Sequence, residues 1–253
     1  MVKSVLITGC NRGIGLEFVR HFLNAKPPPD HVIGTCRDQS KSEDLNALAE
    51  RYPNRLHIVK FDVTHWNEYD GIVKIVNEIV GVGNGLNLLI NNAAILPESE
   101  ELDVINPECM IETYKVNCVA PIILSKHFLP LLKIASISNE HEAMGIHRAA
   151  IVNISSDWGS ITERETSECG SYYPYRCSKS ALNMGMKNLS IDLTEDKIFV
   201  TAIHPGWVKT DMGGSNGALS VEESVCMMMK TLSNMAKENH GSFVQFDGAV
   251  LPW

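Results

Sequence analysis

Two side chains in this sequence have the types and the spacing that proton transfer needs. Tyr175 and Lys179 are four residues apart in a segment of helical pattern, so both project from one face of the helix. A tyrosine ordinarily ionises at a pH of about 10, and a lysine ammonium within reach favours the phenolate. The pair therefore predicts an acid or base, although a solvent-exposed Tyr–Lys pair gives the same pattern.

A glycine-rich turn near the N-terminus is a second candidate site. Gly9, Gly13 and Gly15 interrupt an apolar run that resumes at helical spacing, which predicts a strand, a tight turn and a helix N-terminus. Backbone N–H groups and the helix dipole bind phosphate at such a turn, so a nucleotide is the first ligand to test. The spacing does not match G-x-G-x-x-G and there is no P-loop lysine, so a plain glycine turn is the alternative.

The hydrophobic pattern predicts the elements that must bring these residues together. Near-continuous apolar strands alternate with helical segments, which predicts one α/β domain over residues 1–253 with a doubly wound parallel sheet and helices on both faces. Ligands of such sheets bind beyond the carboxyl ends of the strands. The residues predicted at those ends are the glycine turn, Arg37, Asp62, Asn91, Ser156 and Pro205-Gly206.

Three segments are expected to depart from regular structure. A helix predicted from Glu108 to Leu132 contains Pro121, which indicates a kink or an irregular turn just before it. The polar stretch from Ser136 to His147 lacks periodicity and is predicted to be a surface loop. The glycine-rich part of residues 206–225 is a candidate loop that closes over the substrate.

Composition and charge exclude several classes of partner. The chain has 253 residues, 44% of them hydrophobic, and a net charge of −8, which argues against nucleic-acid binding. The seven cysteines include no C-x-x-C pair, and no metal site is predicted. No leader-like segment and no apolar run near the ~18 residues of a membrane span are evident, so we expect a cytoplasmic protein without a membrane partner.

In combination, the motifs are similar to those of the short-chain dehydrogenase/reductase family. Their order along the chain is Gly9-x3-Gly13-x-Gly15, Asn91-Asn92-Ala93, a serine at a strand end, Tyr175-x3-Lys179 and Pro205-Gly206. The segment from Pro205 to Met212 and the tail from Gly241 to Trp253 resemble the sniffer-type carbonyl reductases. The resemblance covers nearly the whole chain. It implies a Rossmann-type domain with about seven strands and NADPH-dependent reduction of ketones, aldehydes or quinones.

The resemblance also implies a catalytic role for four residues. Tyr175 would protonate the carbonyl oxygen of the substrate as hydride arrives, while Lys179 lowers the pKa of Tyr175 and holds the nicotinamide ribose. Ser156 would hydrogen-bond the same oxygen, with Ser155 as the alternative serine. Asn117 matches a helix asparagine that holds a water near the lysine, unless its side chain only bonds its own backbone.

The charges near the predicted cofactor site favour NADP over NAD. NAD enzymes place an acidic residue roughly 20 positions after the glycine turn, whereas an arginine there accommodates a 2′-phosphate. The second strand is followed by Arg37, and Arg12 lies in the glycine turn, but Asp38 would reverse the argument if the alignment slipped by one residue. By resemblance, the other cofactor-binding residues are Gly9, Asn11, Gly13, Ile14, Gly15, Asp62, Val63, Asn91, Ala93, Tyr175, Lys179, Pro205, Gly206, Val208 and Thr210.

Two features depart from the usual pattern of the family. Ala94 stands where the family usually has glycine, and several additional residues between Thr162 and Ser171 separate Ser156 from Tyr175. These additional residues are expected to border the substrate site, so the size of the substrate stays open. The resemblance implies a two-fold homodimer or a tetramer formed through the helices that hold Asn117 and Tyr175, of which we expect the homodimer, and the added residues either permit or block it.

Two other functions remain compatible with the sequence. One is an NAD(P)-dependent alcohol or steroid dehydrogenase on the same fold. The other is a non-catalytic nucleotide-dependent sensor or binding protein, since a fold does not imply a function. The small-molecule substrate itself is not identified by the sequence.

Overall fold

The centre of the protein is a parallel sheet. The structure is a computed structural model that describes residues 2–97, 102–164 and 170–253. Within these residues the strands are β1 (Ser4–Ile7), β2 (His31–Cys36), β3 (Leu56–Lys60), β4 (Leu88–Asn91), β5 (Ala150–Ile154), β6 (Phe199–His204) and β7 (Phe243–Gln245). All seven pair in parallel, in the order β3-β2-β1-β4-β5-β6-β7. Strands β1, β4, β5 and β6 are buried along their whole length.

Helices cover both faces of this sheet. The described helices are α1 (Gly13–Asn24), α2 (Glu43–Arg51), α3 (Tyr69–Val80), α4 (Pro107–Tyr114), α5 (Ala120–Ser138), α6 (Tyr173–Asp192) and α7 (Val221–Asn234). On one face, Phe18 of α1 and Met228 of α7 belong to the same buried cluster. On the other face, Tyr69 of α3, Phe128 of α5 and Met186 of α6 do so. The predicted doubly wound α/β fold with about seven strands is therefore confirmed.

The long helix predicted from Glu108 to Leu132 is interrupted, and the interruption lies where its proline indicated. Residues Lys115–Val119 form a π-helical turn between α4 and α5, directly before Pro121. The surface loop predicted from Ser136 to His147 is partly wrong, because α5 continues to Ser138. Met144 and Ile146 are moreover buried in the hydrophobic core, so this segment is anchored by apolar side chains.

The helical stretch Pro107–Ser138 is long and apolar enough to be compared with a membrane span. Its most apolar window has a mean hydropathy of 1.5. The prediction that no apolar run approaches the length of a membrane span is therefore wrong for this stretch. Half of that window is buried inside the protein, and Leu124, Phe128 and Leu132 pack in the core. Since protein already covers this apolar face, the segment is a core helix of the fold.

We expect the fold to lose stability as the pH falls below about 6.5. Burial lowers the pKa of His57, His147 and His240 in the folded protein. The unfolded chain therefore binds protons first on acidification, so the free energy of unfolding rises with pH in this window and falls as the pH drops through it. Urea denaturation between about pH 8 and about pH 5 measures this dependence.

A matched pair of variants tests whether burial of a histidine causes the pH dependence of the unfolding free energy. His57→Gln should flatten the pH dependence of the unfolding free energy, whereas the same change at the exposed His141 should leave it unaltered. An unfolding free energy that stays constant over this range in the unmodified protein would contradict the prediction.

Candidate active site

A cleft of about 660 Å³ opens at the carboxyl edge of the sheet. Most of the residues predicted to bind the cofactor line it, namely Gly9, Asn11, Arg12, Gly13, Ile14, Gly15, Arg37, Asp62, Val63, Ala93, Tyr175, Lys179, Pro205 and Thr210. Asn91, Gly206 and Val208, which were also predicted, are not among the lining residues. The ends of the parallel strands therefore meet at one cleft, as predicted, and all but three of the predicted cofactor-binding residues line it.

The glycine turn between β1 and α1 has the shape that a phosphate site needs. Gly9 and Gly13 have φ angles of +72° and +58°, a left-handed conformation that favours glycine. A Cβ atom on Gly15 would collide with the carbonyl oxygen of Gly9 and with the Asn92 side chain. Arg12 makes no side-chain cap, so the first N–H groups of α1 are available to an anion.

Asn91 and Asn92 have different structural roles: the Asn91 side chain stabilises the sheet, and the Asn92 side chain stabilises the glycine turn. The Asn91 side chain is buried and donates to Asn153 Oδ1 at 3.0 Å and to Ser125 Oγ at 3.2 Å, which ties β4 to β5 and α5. Asn92 instead lines the cleft and donates to the carbonyl oxygens of Thr8 and Gly9, at 2.8 and 3.2 Å. The Asn91 side chain thus holds the strand in place, and Asn92, which sequence reasoning missed, holds the turn.

The end of the cleft beside β2 is cationic. Arg37 follows β2 directly and lines the cleft, whereas Asp38 does not. The Asp38 carboxylate accepts from the Ser40 hydroxyl at 2.6 Å and lies 3.7 Å from Lys41 Nζ, so it caps its own turn. The one-residue slip that would exchange the roles of Arg37 and Asp38 therefore finds no support in the geometry.

Arg12 reaches from the glycine turn to the loop that follows β6. Its guanidinium pairs with the Asp211 carboxylate at 2.5 Å, and both side chains are well exposed. Asp211 also lines the cleft, a contact that no local pattern in the sequence indicated. Arg12 is therefore available both to a phosphate at the turn and to the loop.

That loop is folded onto itself. Lys209 N donates to the Leu219 carbonyl at 2.9 Å, and the Trp207 indole donates to the Gly213 carbonyl at 2.7 Å. Val208 is buried beneath this pairing. Because α7 begins at Val221, the last five positions of the predicted 206–225 loop are helical.

Tyr175 and Lys179 lie on one face of α6, as their spacing required, and both are buried. Burial raises the pKa of Tyr175 to about 12 and lowers that of Lys179 to about 8, because a low dielectric disfavours each charged form. Lys179 Nζ lies 5.6 Å from the centre of the Tyr175 ring and donates to the Ile154 carbonyl at 2.8 Å. In this geometry the shift of the Tyr175 pKa comes from burial, Ser156 and Asp157, and the role of Lys179 toward Tyr175 stays a prediction.

The two serines after β5 face different partners. Ser155 Oγ donates to Asn183 Oδ1 at 2.6 Å in a buried contact with α6. Ser156 is close enough to Tyr175 to lower the pKa of that tyrosine against the effect of burial, and its hydroxyl donates to Asp157 Oδ1 at 3.0 Å. Ser156 is therefore the serine that interacts with Tyr175, whereas Ser155 is the one that lines the cleft.

Asn117 lies in the π-helical turn and bonds another segment of the chain. Its Oδ1 accepts from the backbone N–H of Ile95, and its Nδ2 donates to the Ile95 carbonyl, both at 2.8 Å. The second amide proton is donated to Ser178 Oγ at 3.1 Å, and Ser178 in turn donates to the Tyr175 carbonyl at 2.7 Å. Asn117 therefore positions α6 and the chain after β4, and both of its amide protons are already used.

The aromatic ring of Trp158 packs against that of Tyr175, and sequence reasoning missed this contact. The Trp158 ring lies 4.8 Å from that of Tyr172 and packs edge-on against Tyr175 at 6.0 Å. Residues 165–169, in the middle of the predicted insertion, lie outside the described residues. The start of that insertion contacts the C-terminus, where Thr162 Oγ1 donates to the Trp253 carbonyl at 2.7 Å.

Further residues of the site belong to segments for which no motif was available. The cleft is also lined by Thr35, Thr64, Ile95, Glu112, Lys209 and Met212. Asp157 lies beyond the end of β5 and His204 is the last residue of the neighbouring β6, with Asp157 Oδ2 3.6 Å from His204 Nε2. Their position at or just beyond a strand end was the one signal in the sequence that pointed to them.

Known proteins resemble this chain over its whole length. A family model described as short chain dehydrogenase matches residues 3–219. The carbonyl reductase Sniffer of D. melanogaster is 42% identical with a TM-score of 0.96, and the alignment covers 100% of each chain. An NADPH-bound carbonyl reductase from chicken fatty liver is 43% identical with a TM-score of 0.94, covering 100% of this chain and 99% of that one. A short chain dehydrogenase of Penicillium aethiopicum is 32% identical, and the alignment covers 100% of each chain.

These similarities agree with the fold and with the position of the cleft at the carboxyl ends of the strands. They confirm the predicted resemblance to the sniffer-type carbonyl reductases and the Rossmann-type fold. The family model alone spans every strand from β1 to β6 and the residues Tyr175 and Lys179. The chain is a member of the short chain dehydrogenase family.

Proposed function

We propose that the protein is an NADPH-dependent carbonyl reductase that converts ketones, aldehydes or quinones to alcohols. The observation that carries this proposal is the buried tyrosine beside Ser156 and Lys179, in a cleft whose opposite end holds Arg37. The similarity to carbonyl reductases from fly and chicken supports it. A sensor without activity has no physical need for this buried set of proton-bearing groups.

The residues of the cleft fit NADPH along its length. The glycine turn offers N–H donors and room that a Cβ on Gly15 would remove, so it would hold the pyrophosphate. Arg37 and Arg12 would hold the 2′-phosphate, and Asp62 lies at the end of β3, where the adenine is expected. When bound, the cofactor supplies the hydride.

The proposed chemistry of the chain itself is proton delivery. With a pKa of about 12, Tyr175 is neutral at pH 7 and carries the proton that the substrate oxygen needs. Ser156 offers a hydroxyl beside it, and Lys179 places an ammonium near the tyrosine ring. The neutral state of Tyr175 favours reduction over alcohol oxidation, which needs a tyrosine without its proton.

We also propose that the protein acts in the cytoplasm as a homodimer. The helices that carry or flank Asn117 and Tyr175 expose several large apolar side chains, namely Ile111, Tyr114, Met184 and Ile191. Such side chains are more costly to leave in water when they cluster, which supports burial against a second copy. Sedimentation equilibrium measures the mass in solution, and a monomer at micromolar concentration would contradict the dimer.

Replacing Tyr175 with phenylalanine should remove the proton donor without emptying the cofactor cleft. We expect kcat for a good carbonyl substrate to fall about a hundredfold or more, because general acid catalysis contributes that much. Binding of NADPH, followed by its fluorescence, should change little. Tyr173→Phe, on the same helix, is the matched control, and retained turnover in Tyr175→Phe would contradict the assigned role.

Removing the positive charge of Arg37 beside β2 should weaken the binding of NADPH and leave the binding of NADH unchanged. Arg37→Ala should weaken NADPH binding about 10- to 100-fold, as expected for hydrogen bonds to a charged phosphate. Fluorescence titration with both cofactors measures the ratio, and Arg51→Ala, exposed on α2, is the control. Tighter binding of NADH than of NADPH by the unmodified protein would contradict the cofactor assignment.

A further inference from the structure

The loop after β6 places a carboxylate against an arginine that is proposed above to hold the 2′-phosphate. Asp211 Oδ2 lies 2.5 Å from Arg12 Nη1, and the two side chains are 69% and 70% exposed. Both residues line the cofactor cleft. This ion pair joins the loop to the glycine turn, and the proposed function gives Asp211 no role.

Asp211 differs from the other acidic residues of the cleft. Among the described residues, the carboxylates that line the cleft are Asp62, Glu112 and Asp211. The Asp62 carboxylate accepts hydrogen bonds from the second residue after it, and Glu112 lies 3.8 Å from Lys115 Nζ. Each of these two is therefore satisfied within its own segment. Asp211 is the one of the three that forms an ion pair with a residue proposed to bind phosphate.

The loop holds the Asp211 carboxylate beside the glycine turn. Gly213 N donates to Thr210 Oγ1 at 3.0 Å, which closes the turn that carries Asp211. A Cβ atom on Gly13 would lie 3.5 Å from Thr210 Cγ2, so this turn lies against the glycine turn. The position of the carboxylate is therefore set by the fold of the loop as well as by its contact with Arg12.

The Arg12 side chain, in contrast, has room to change partners. It also lines a second cavity of about 590 Å³, together with Ser40 and Lys41, and Asp211 does not line that cavity. The guanidinium thus borders open space that the carboxylate does not share. Because the Arg12 side chain is mostly exposed, it can leave Asp211 without displacing packed side chains.

We propose that Asp211 is a specificity-determining residue that weakens the preference for NADPH over NADH, because it competes with the 2′-phosphate for the Arg12 guanidinium. A phosphate drawn to Arg12 either breaks the ion pair or comes close to a carboxylate of the same sign, and both lower its affinity. NADH has no 2′-phosphate and leaves the ion pair intact. The inference rests on the proposed contact between Arg12 and the 2′-phosphate.

The test is the binding of NADPH and NADH to Asp211→Asn, measured by isothermal titration calorimetry without a carbonyl substrate. NADPH should bind about two- to fivefold more tightly than to the unmodified protein, which corresponds to the strength of an exposed ion pair. The binding of NADH should change less. Asp211→Ser also lacks the charge and should give the same result. Asp192→Asn, exposed at the end of α6, removes the same charge far from the cleft and is the matched control.

A double-mutant cycle with Arg12→Gln tests whether Asp211 acts through Arg12. Arg12→Gln alone should weaken the binding of NADPH, and adding Asp211→Asn to it should bring no gain in affinity. An equal gain with and without Arg12 overturns the proposal, because it would be a general effect of net charge.

Three further results also overturn the proposal. One is unchanged or weaker binding of NADPH by Asp211→Asn, and another is an equal gain in affinity for NADH. The third is an Arg12→Gln variant that binds NADPH as tightly as the unmodified protein, since Asp211 cannot then compete for a group that the phosphate needs.

Failure of this proposal is distinguishable from failure of the proposed function. Tighter binding of NADH than of NADPH by the unmodified protein contradicts the cofactor assignment, and retained turnover in Tyr175→Phe contradicts the proton-donor role. A preference for NADPH that Asp211→Asn leaves unaltered contradicts only the role of Asp211.

Discussion

The packing of α6 against the carboxyl end of β5 determines the chemistry of this protein. Lys179 donates to the Ile154 carbonyl at the last position of the strand, and Ser155 donates to Asn183 from the strand side. A side chain on Gly159 would lie 2.9 Å from the Lys179 backbone, so only glycine permits this approach. Both ends of the contact are thus fixed by buried hydrogen bonds, which are costly to break inside a protein.

The same sheet edge separates two electrostatic environments. Near β2, Arg37 and Arg12 are cationic, and the adjacent glycine turn adds N–H donors, which together suit a multiply charged phosphate. Near β5 and β6, burial discourages charge, so the phenol and imidazole groups are held neutral. A ligand that is anionic at one end and uncharged at the reacting end matches this gradient.

Periodicity and turn chemistry predicted the elements, and topology decided the contacts between them. Near-continuous apolar strands alternating with helical segments predicted the parallel sheet, and Pro121 indicated the irregular turn that holds Asn117. The contact between Asp157 and His204 could not be predicted in this way, because it requires knowing that β5 and β6 are neighbours and in which register. The partial error between Ser136 and His147 arose because buried Met144 and Ile146 are too few to form a period.

Burial changes the expected relation between Lys179 and Tyr175, which their spacing in the sequence did not indicate. Burial raises the pKa of Tyr175, and in this geometry the group that opposes this rise is Ser156 and not Lys179. With a pKa of about 8, Lys179 is mostly protonated at pH 7 and lies near a neutral phenol. Under the proposed function, we expect its attraction for the phenolic oxygen of Tyr175 to grow as the proton leaves, which would stabilise the transition state more than the ground state. Burial of both groups makes that difference larger, because charges interact more strongly where water is excluded.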